Sequence, residues 1–224
     1  MKFIWEIRVI LFIAVIFSVP ARGQGFLNLN FDSAQNLPGN PGEGVLLSVT
    51  NALPDWTAYQ GGLLIPDVYY FSNFVGGADT TVELFGGSLA LTGNDYSVLL
   101  TTAASIGQTG LVPGHAESLQ FEAYISPDNA LSVTLGGQSL SYSALSEGPD
   151  YTVYGANIPA DLGGQMETLS FLVQGNGAAA LLDNIEFSTM IVPEPSEFRI
   201  LVLGAILVGI PLWRKFVKPI TRTQ

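Results

Sequence analysis

Apolar and polar residues alternate with a period of two over much of the middle of the chain. Leu119, Phe121, Ala123 and Ile125 are interleaved with Ser118, Gln120, Glu122 and Tyr124. Leu131, Val133 and Leu135 alternate with Ser132 and Thr134, and the pattern recurs at Leu169, Phe171 and Val173 and at Val82 and Leu84. A period of two gathers the apolar side chains of an extended run on one face, so each run predicts a half-buried antiparallel strand. Five Gly-Gly pairs begin at Gly61, Gly76, Gly86, Gly136 and Gly163, several of them between such runs. They predict turns that need positive φ, and Leu135-Gly136-Gly137-Gln138 is the best hairpin candidate. Gly175-Asn176-Gly177 reads as a further turn, and no helical period appears inside the domain. The predicted fold class is all-β: an antiparallel β-sandwich, most simply a jelly roll.

The two ends read differently. Lys2 and Arg8 precede the apolar run Val9–Val19, and Ala21 and Gly23 are small residues two apart. This is the layout of a secretory signal peptide over residues 1–23, with cleavage near Gly23 and Gln24. At the other end, Val192-Pro193-Glu194-Pro195-Ser196 is a stiff proline segment, followed by the apolar run Ile200–Trp213 and the bases Arg214, Lys215, Lys218 and Arg222. As a helix that run covers about 21 Å, which Phe198, Phe216 and Val217 can extend toward the ~30 Å of a hydrocarbon core. A transmembrane helix is expected there, with its basic end in the cytoplasm and the middle of the chain outside. The expected division is a signal peptide at 1–23, an ectodomain at 24–190 and a C-terminal anchor segment at 191–224.

The order Val192-Pro193-Glu194-Pro195-Ser196, short apolar helix, Arg214-Lys215 resembles the PEP-CTERM sorting signal of exopolysaccharide-producing Gram-negative bacteria. The resemblance implies that an exosortase-type processing enzyme recognises the Pro-Glu-Pro, removes the tail and passes the protein to the cell surface or matrix. The chain would then be a single-pass inner-membrane intermediate before it reaches the outside.

Charge narrows the choice of function. All eight Lys and Arg residues lie in the end segments, so from Gln24 to Met190 His115 is the one side chain able to carry positive charge. Sixteen of the nineteen acids lie in that same stretch. Its carboxylates must therefore be solvated, hydrogen-bonded to neutral donors or neutralised by bound cations. Nucleic acid binding is excluded for want of any phosphate-neutralising charge, and so are a lysine base and an arginine clamp. The chain contains no cysteine, which removes disulfides, thiolate metal sites and a cysteine nucleophile.

The middle opens with Asn28-Leu29-Asn30-Phe31-Asp32, continues to Leu53-Pro54-Asp55-Trp56, and closes with Leu182-Asp183-Asn184-Ile185-Glu186-Phe187. These stretches resemble the first and last strands of galactose-binding-like and carbohydrate-binding jelly rolls. No cofactor is expected beyond what the resemblance allows, a structural calcium ion that Asp32 and Asp183 could share; oxygen donors in an acidic domain suit that ion. Trp56, Tyr59, Tyr69 and Tyr70 are the candidate sugar-stacking aromatics. Core packing is the commoner fate of a lone tryptophan and is expected for Trp56. His115, in Val112-Pro113-Gly114-His115, reads as a solvated turn histidine. No catalytic residue is expected: no Gly-x-Ser-x-Gly elbow is present, and sixteen acids make chance carboxylate pairs uninformative. The reading is an exported, non-catalytic surface or matrix protein that associates with extracellular polysaccharide, the sugar-binding surface being unknown. The alternatives are a purely structural surface protein with no sugar site and, behind it, a small secreted glycan hydrolase.

Overall fold

The computed structural model of the protein describes residues 25–39, 44–71, 82–92, 96–128 and 130–193. The signal peptide, the Glu194-Pro195-Ser196 part of the sorting motif, the apolar C-terminal run and Arg214-Lys215 lie outside the described residues. Among the described residues no helix is long and apolar enough to cross a membrane.

In chain order the strands are β1 (Val45–Ser48), β2 (Thr57–Gln60), β3 (Leu63–Ile65), β4 (Asp67–Phe71), β5 (Val82–Gly86), β6 (Tyr96–Thr101) and β7 (Ala104–Leu111). They continue as β8 (Ser118–Ser126), β9 (Leu131–Leu135), β10 (Gln138–Leu140), β11 (Tyr142–Glu147), β12 (Thr152–Asn157), β13 (Met166–Val173) and β14 (Ala179–Ser188). One α-helical turn, α1 (Val49–Ala52), is the only α-helix among the described residues. Two sheets result. One has eight strands in the order β1-β4-β5-β6-β14-β8-β12-β11, the other six in the order β10-β9-β13-β7-β2-β3. Every pairing is antiparallel except that of β4 with β5. The chain is an all-β sandwich.

The period-two runs are the strands that face this core. Leu119, Phe121, Ala123 and Ile125 of β8, Leu131, Val133 and Leu135 of β9, and Leu169, Phe171 and Val173 of β13 are all buried. Phe121 meets Phe171 edge-on across the two sheets at 5.4 Å, Phe171 meets Trp56 at 6.5 Å, and Trp56 meets Phe31 at 5.5 Å. Each fully buried aromatic or leucine side chain of this kind contributes roughly 1.5–3 kcal/mol by leaving water. The Gly136-Gly137 turn joins β9 to β10 with φ of 59° and 74° and pairs Leu135 with Gln138. Gly61 and Gly62 do the same between β2 and β3, with φ of 55° and 79°. Two consecutive positive φ values make the hairpin turn whose twist matches that of its strands.

Two expectations are corrected. The opening segment Asn28–Asp32 is not a strand but a looped plug, with Asn28 and Phe31 at φ of 48° and 58°. The physical reason is local competition by side-chain amides, which gives the backbone an alternative to a sheet ladder. Asn28 Oδ1 accepts from the Ser33 amide at 2.9 Å, its Nδ2 donates to the Pro54 carbonyl at 2.9 Å, and its own carbonyl accepts from Trp56 Nε1 at 2.9 Å. Phe31, at the apex, is wholly buried, and that burial offsets a left-handed backbone costing about 1–2 kcal/mol. The second correction is β5, expected to be half-buried. Val82 and Leu84 do face the core, but Glu83 and Phe85 on the other face are buried too. There Phe85 packs edge-on against Phe71 of β4 at 6.1 Å, and Phe71 stacks with Tyr69 at 5.9 Å.

Candidate functional site

The two acids singled out on the sequence lie near one another. Asp183, on β14, is 1% exposed. Its Oδ2 accepts from Ser97 Oγ at 3.0 Å and Thr92 Oγ1 at 3.3 Å, and its Oδ1 accepts from the Asn184 amide at 2.7 Å. Ser97 Oγ in turn accepts from the Leu91 amide at 2.9 Å, so a line of neutral donors runs into the carboxylate. Asp32 sits in the opening loop, where Oδ1 accepts from the Tyr96 amide at 3.2 Å and Oδ2 from Asn30 Nδ2 at 2.6 Å. Burial lifts the Asp183 pKa from 3.8 to about 6; its three donors pull it down and the nearby Asp32 charge pushes it up. Among the described residues no group of three or more histidine, cysteine or acidic side chains gathers around a common centre. The two carboxylates are thus held by neutral donors, and they bring the charge but not by themselves the oxygen count that a calcium ion takes.

The aromatic residues named as sugar-stacking candidates do not form a platform. Trp56 is buried at 5% exposure and Tyr70 is buried beside it in the core. Tyr59 and Tyr69 are half-buried on different sheets, the six-stranded and the eight-stranded one. His115 is exposed in the turn between β7 and β8.

The structure instead gathers a different set of residues where the wider sheet outruns the narrower one. Register places Leu182 (β14), Ala123 (β8), Thr152 (β12) and Glu147 (β11) in one row across the core face. Along that row burial falls away: Leu182 and Ala123 are buried, Thr152 is half-buried and Glu147 is exposed. The neighbouring row runs from Phe121, wholly buried, through half-buried Tyr154 to exposed Ala144. The core face therefore opens into a groove of about 540 Å³, continued by a second hollow of about 380 Å³. This lies in the size range of small-ligand sites.

Four tyrosines, Tyr124, Tyr142, Tyr151 and Tyr154, and three carboxylates line the groove. Tyr154 is stacked on Phe121 at 5.6 Å and braced edge-on by Tyr142 at 5.3 Å. The Tyr142 hydroxyl donates to the Leu131 carbonyl of the facing sheet at 2.9 Å. Its pKa is raised by burial, with the Tyr154 and Asp128 charges adding to the effect. Tyr151 lies over Gly148, so closely that a Cβ at Gly148 would meet the ring at 2.7–2.8 Å. Asp128, Glu147 and Asp150 are exposed at the edge. No single strand announces this site; only the pairing of β8, β12 and β11 assembles it.

The first and last described residues lie outside the groove lining. Gly25 bridges to Leu111, and Phe26 stacks on Phe187 near the end of β14 at 5.1 Å. The buried Gln108 side chain takes both backbone groups of Leu27, accepting from its amide at 2.6 Å and donating to its carbonyl at 2.8 Å. Asn157 at the end of β12 does the same to Val192, at 2.6 and 3.0 Å. The Val192 side chain is 6% exposed and fills the space over Gly155, beside Leu145. Pro193, next along, is exposed. The described residues thus begin and end near Ser118, at the start of β8, whereas the larger hollow is lined by Ala123, Tyr124 and Ile125 farther along the same strand.

No protein-family model matches the chain, and no curated protein matches it. Among solved structures it is similar in part to the catalytic domain of a GH87 alpha-1,3-glucanase in complex with nigerose, at 16% identity and a TM-score of 0.27. A variant of that domain matches at 17% identity with the same TM-score. The likeness covers 44% of this chain and 23% of the glucanase chain, so the chain spans less than a quarter of the length of those structures. A superposition this partial assigns neither a family nor an activity.

Proposed function

We propose that the protein is an exported, non-catalytic surface or matrix component whose β-sandwich, of jelly-roll type, touches extracellular polysaccharide through the β8–β12–β11 groove. Residues 1–23 direct export, residues 24–190 form the ectodomain, and Val192–Ser196 with the apolar run and Arg214-Lys215 act as the sorting signal for an exosortase-type enzyme. The observation that carries the reading is the groove itself, with the domain's ties at Leu27 and Val192 outside its lining. The groove also has the ingredients of sugar contact: aromatic rings fixed by packing and several hydrogen-bonding groups on an open, half-polar surface.

The test is binding of the full-length protein, in detergent, to the surface polysaccharide of its own host, with Tyr154→Ala and Tyr151→Ala as variants. Retention on the polysaccharide by the parent chain and loss in both variants is the expected result. Retention unchanged in both variants, or none at all in the parent, would favour the purely structural alternative. Release of reducing ends from the polysaccharide would point to the hydrolase alternative.

A further inference from the structure

The chemistry around the groove narrows the polysaccharide further. Asp128, Glu147 and Asp150 stand at its edge, and from Gln24 to Met190 the chain offers no lysine or arginine to pair with them. The one histidine, His115, sits in the β7–β8 turn near the terminal end, outside the groove lining. A uronate or sulfated glycan entering here would bring negative charge against three carboxylates with no cation between. A neutral glycan would find hydroxyl partners and aromatic rings there but would leave the three carboxylate charges uncompensated. A glycan bearing protonated amines would make charge-assisted hydrogen bonds to the carboxylates and place its cations over tyrosine rings. Those rings are held in place: Tyr154 is sandwiched against Phe121 and Tyr142, and Tyr151 is seated on Gly148, whose amide donates to the Tyr151 carbonyl at 2.8 Å.

We infer that the groove binds an amine-bearing glycan, a polymer of hexosamines with free amino groups, its amines facing Asp128, Glu147 and Asp150 and its sugar faces lying on Tyr151 and Tyr154. This rests on the reading that the groove contacts polysaccharide, and it adds the charge of the ligand. Charge complementarity is what selects the occupant, since the groove lining is acidic and aromatic with no basic side chain in it.

The test compares a glucosamine hexamer with its fully N-acetylated counterpart, the same backbone with the charge removed. Each is titrated by calorimetry into full-length protein in detergent, at mildly acidic pH where the free amines are protonated. The free-amine hexamer is expected to bind about tenfold tighter and to weaken as salt rises. Asp128→Asn combined with Glu147→Gln should remove that advantage while leaving the acetylated hexamer unaffected. Gly148→Ala, which displaces Tyr151 without touching a carboxylate, should weaken both. Thermal unfolding of each variant confirms that it is folded. Equal or tighter binding of the acetylated hexamer overturns the charge inference and leaves the polysaccharide reading standing. Free-amine binding that survives the double substitution shows attraction to the acidic domain at large and also overturns it. If a lysine hexamer binds as tightly as the glucosamine hexamer and neither sugar probe responds to Gly148→Ala, the groove does not read sugar and the polysaccharide reading itself fails.

Discussion

Asp183 shows what burial does to a carboxylate whose hydrogen-bond partners among the described residues are all neutral. It is satisfied by Ser97, Thr92 and the Asn184 amide, yet its pKa stands at about 6 against 3.8 for the free side chain, chiefly because burial penalises the charged form. A raised folded-state pKa means that folding favours the protonated acid. The resulting stability is fully present below about pH 4 and is lost as pH rises through about 6. The shift corresponds to roughly 3 kcal/mol. Asp183→Asn removes the titration, so the stability of the variant relative to the parent should improve by that order between pH 4 and pH 7. Urea midpoints across this range measure it; a constant difference would show that Asp183 titrates normally. The same experiment addresses calcium. If an ion sits between Asp32 and Asp183, added calcium raises the parent midpoint at neutral pH and leaves Asp183→Asn unmoved. No shift in the parent would rule that ion out. On the sequence, the pairing of these two acids came from resemblance to jelly rolls, and the structure does bring them together. What the residues alone did not reveal is that neutral hydroxyls and an amide hold the buried Asp183, while Asp32 stays exposed.

At the scale of elements, the legible strands are those with one face in the core and one in water. Strands β8, β9 and β13 show that pattern in their burial and in their sequence. Strand β5 is buried along its whole length, so alternation there understated its surroundings. The opening segment was expected to be a strand on its resemblance to jelly rolls, whereas the Asn28 and Asn30 side chains in fact close a loop. The glycine turns were legible because few other residues accept positive φ at successive positions. They also give a graded prediction. A side chain at Gly137 meets nothing within 4 Å, so Gly137→Ala should cost about 1 kcal/mol, the backbone penalty alone. At Gly136 a Cβ would also lie 2.6 Å from Glu167 and 3.2 Å from Leu162, so Gly136→Ala should cost more. Chemical denaturation of the two variants checks the order, and a reversed order contradicts the turn geometry. The Asn157 clamp is testable in the same way. Asn157→Ala removes two hydrogen bonds to Val192, at about 0.5–1.5 kcal/mol each. Limited proteolysis between Met190 and Val192 should become several-fold faster while the core fragment stays intact. An unchanged cleavage rate would mean that Val192 is held by its packing over Gly155 alone.

At the scale of the molecule, the groove was the part least legible in the sequence. Its rows join residues of β14, β8, β12 and β11 that lie far apart along the chain, and register between distant strands follows from packing rather than from any local pattern. Trp56 went to the core, as expected for it, and so did Tyr70, while Tyr124, Tyr142, Tyr151 and Tyr154, none of them a sequence candidate, line the groove. The charge pattern, by contrast, was readable in full: a middle rich in acids and empty of lysine and arginine, with the bases confined to the two end segments. That pattern and the resemblance of the C-terminal segment to a sorting signal are the basis for proposing a protein that is exported, processed at its C-terminal segment and left with its groove facing outward. The most direct measurement is the intact mass of the protein recovered from its native host, taken separately from membrane and extracellular fractions. The account predicts an extracellular species that begins near Gln24 and ends between Val192 and Pro195. A species carrying the complete C-terminal segment and found only in membranes would contradict processing, and one retaining residues 1–23 inside the cell would contradict export.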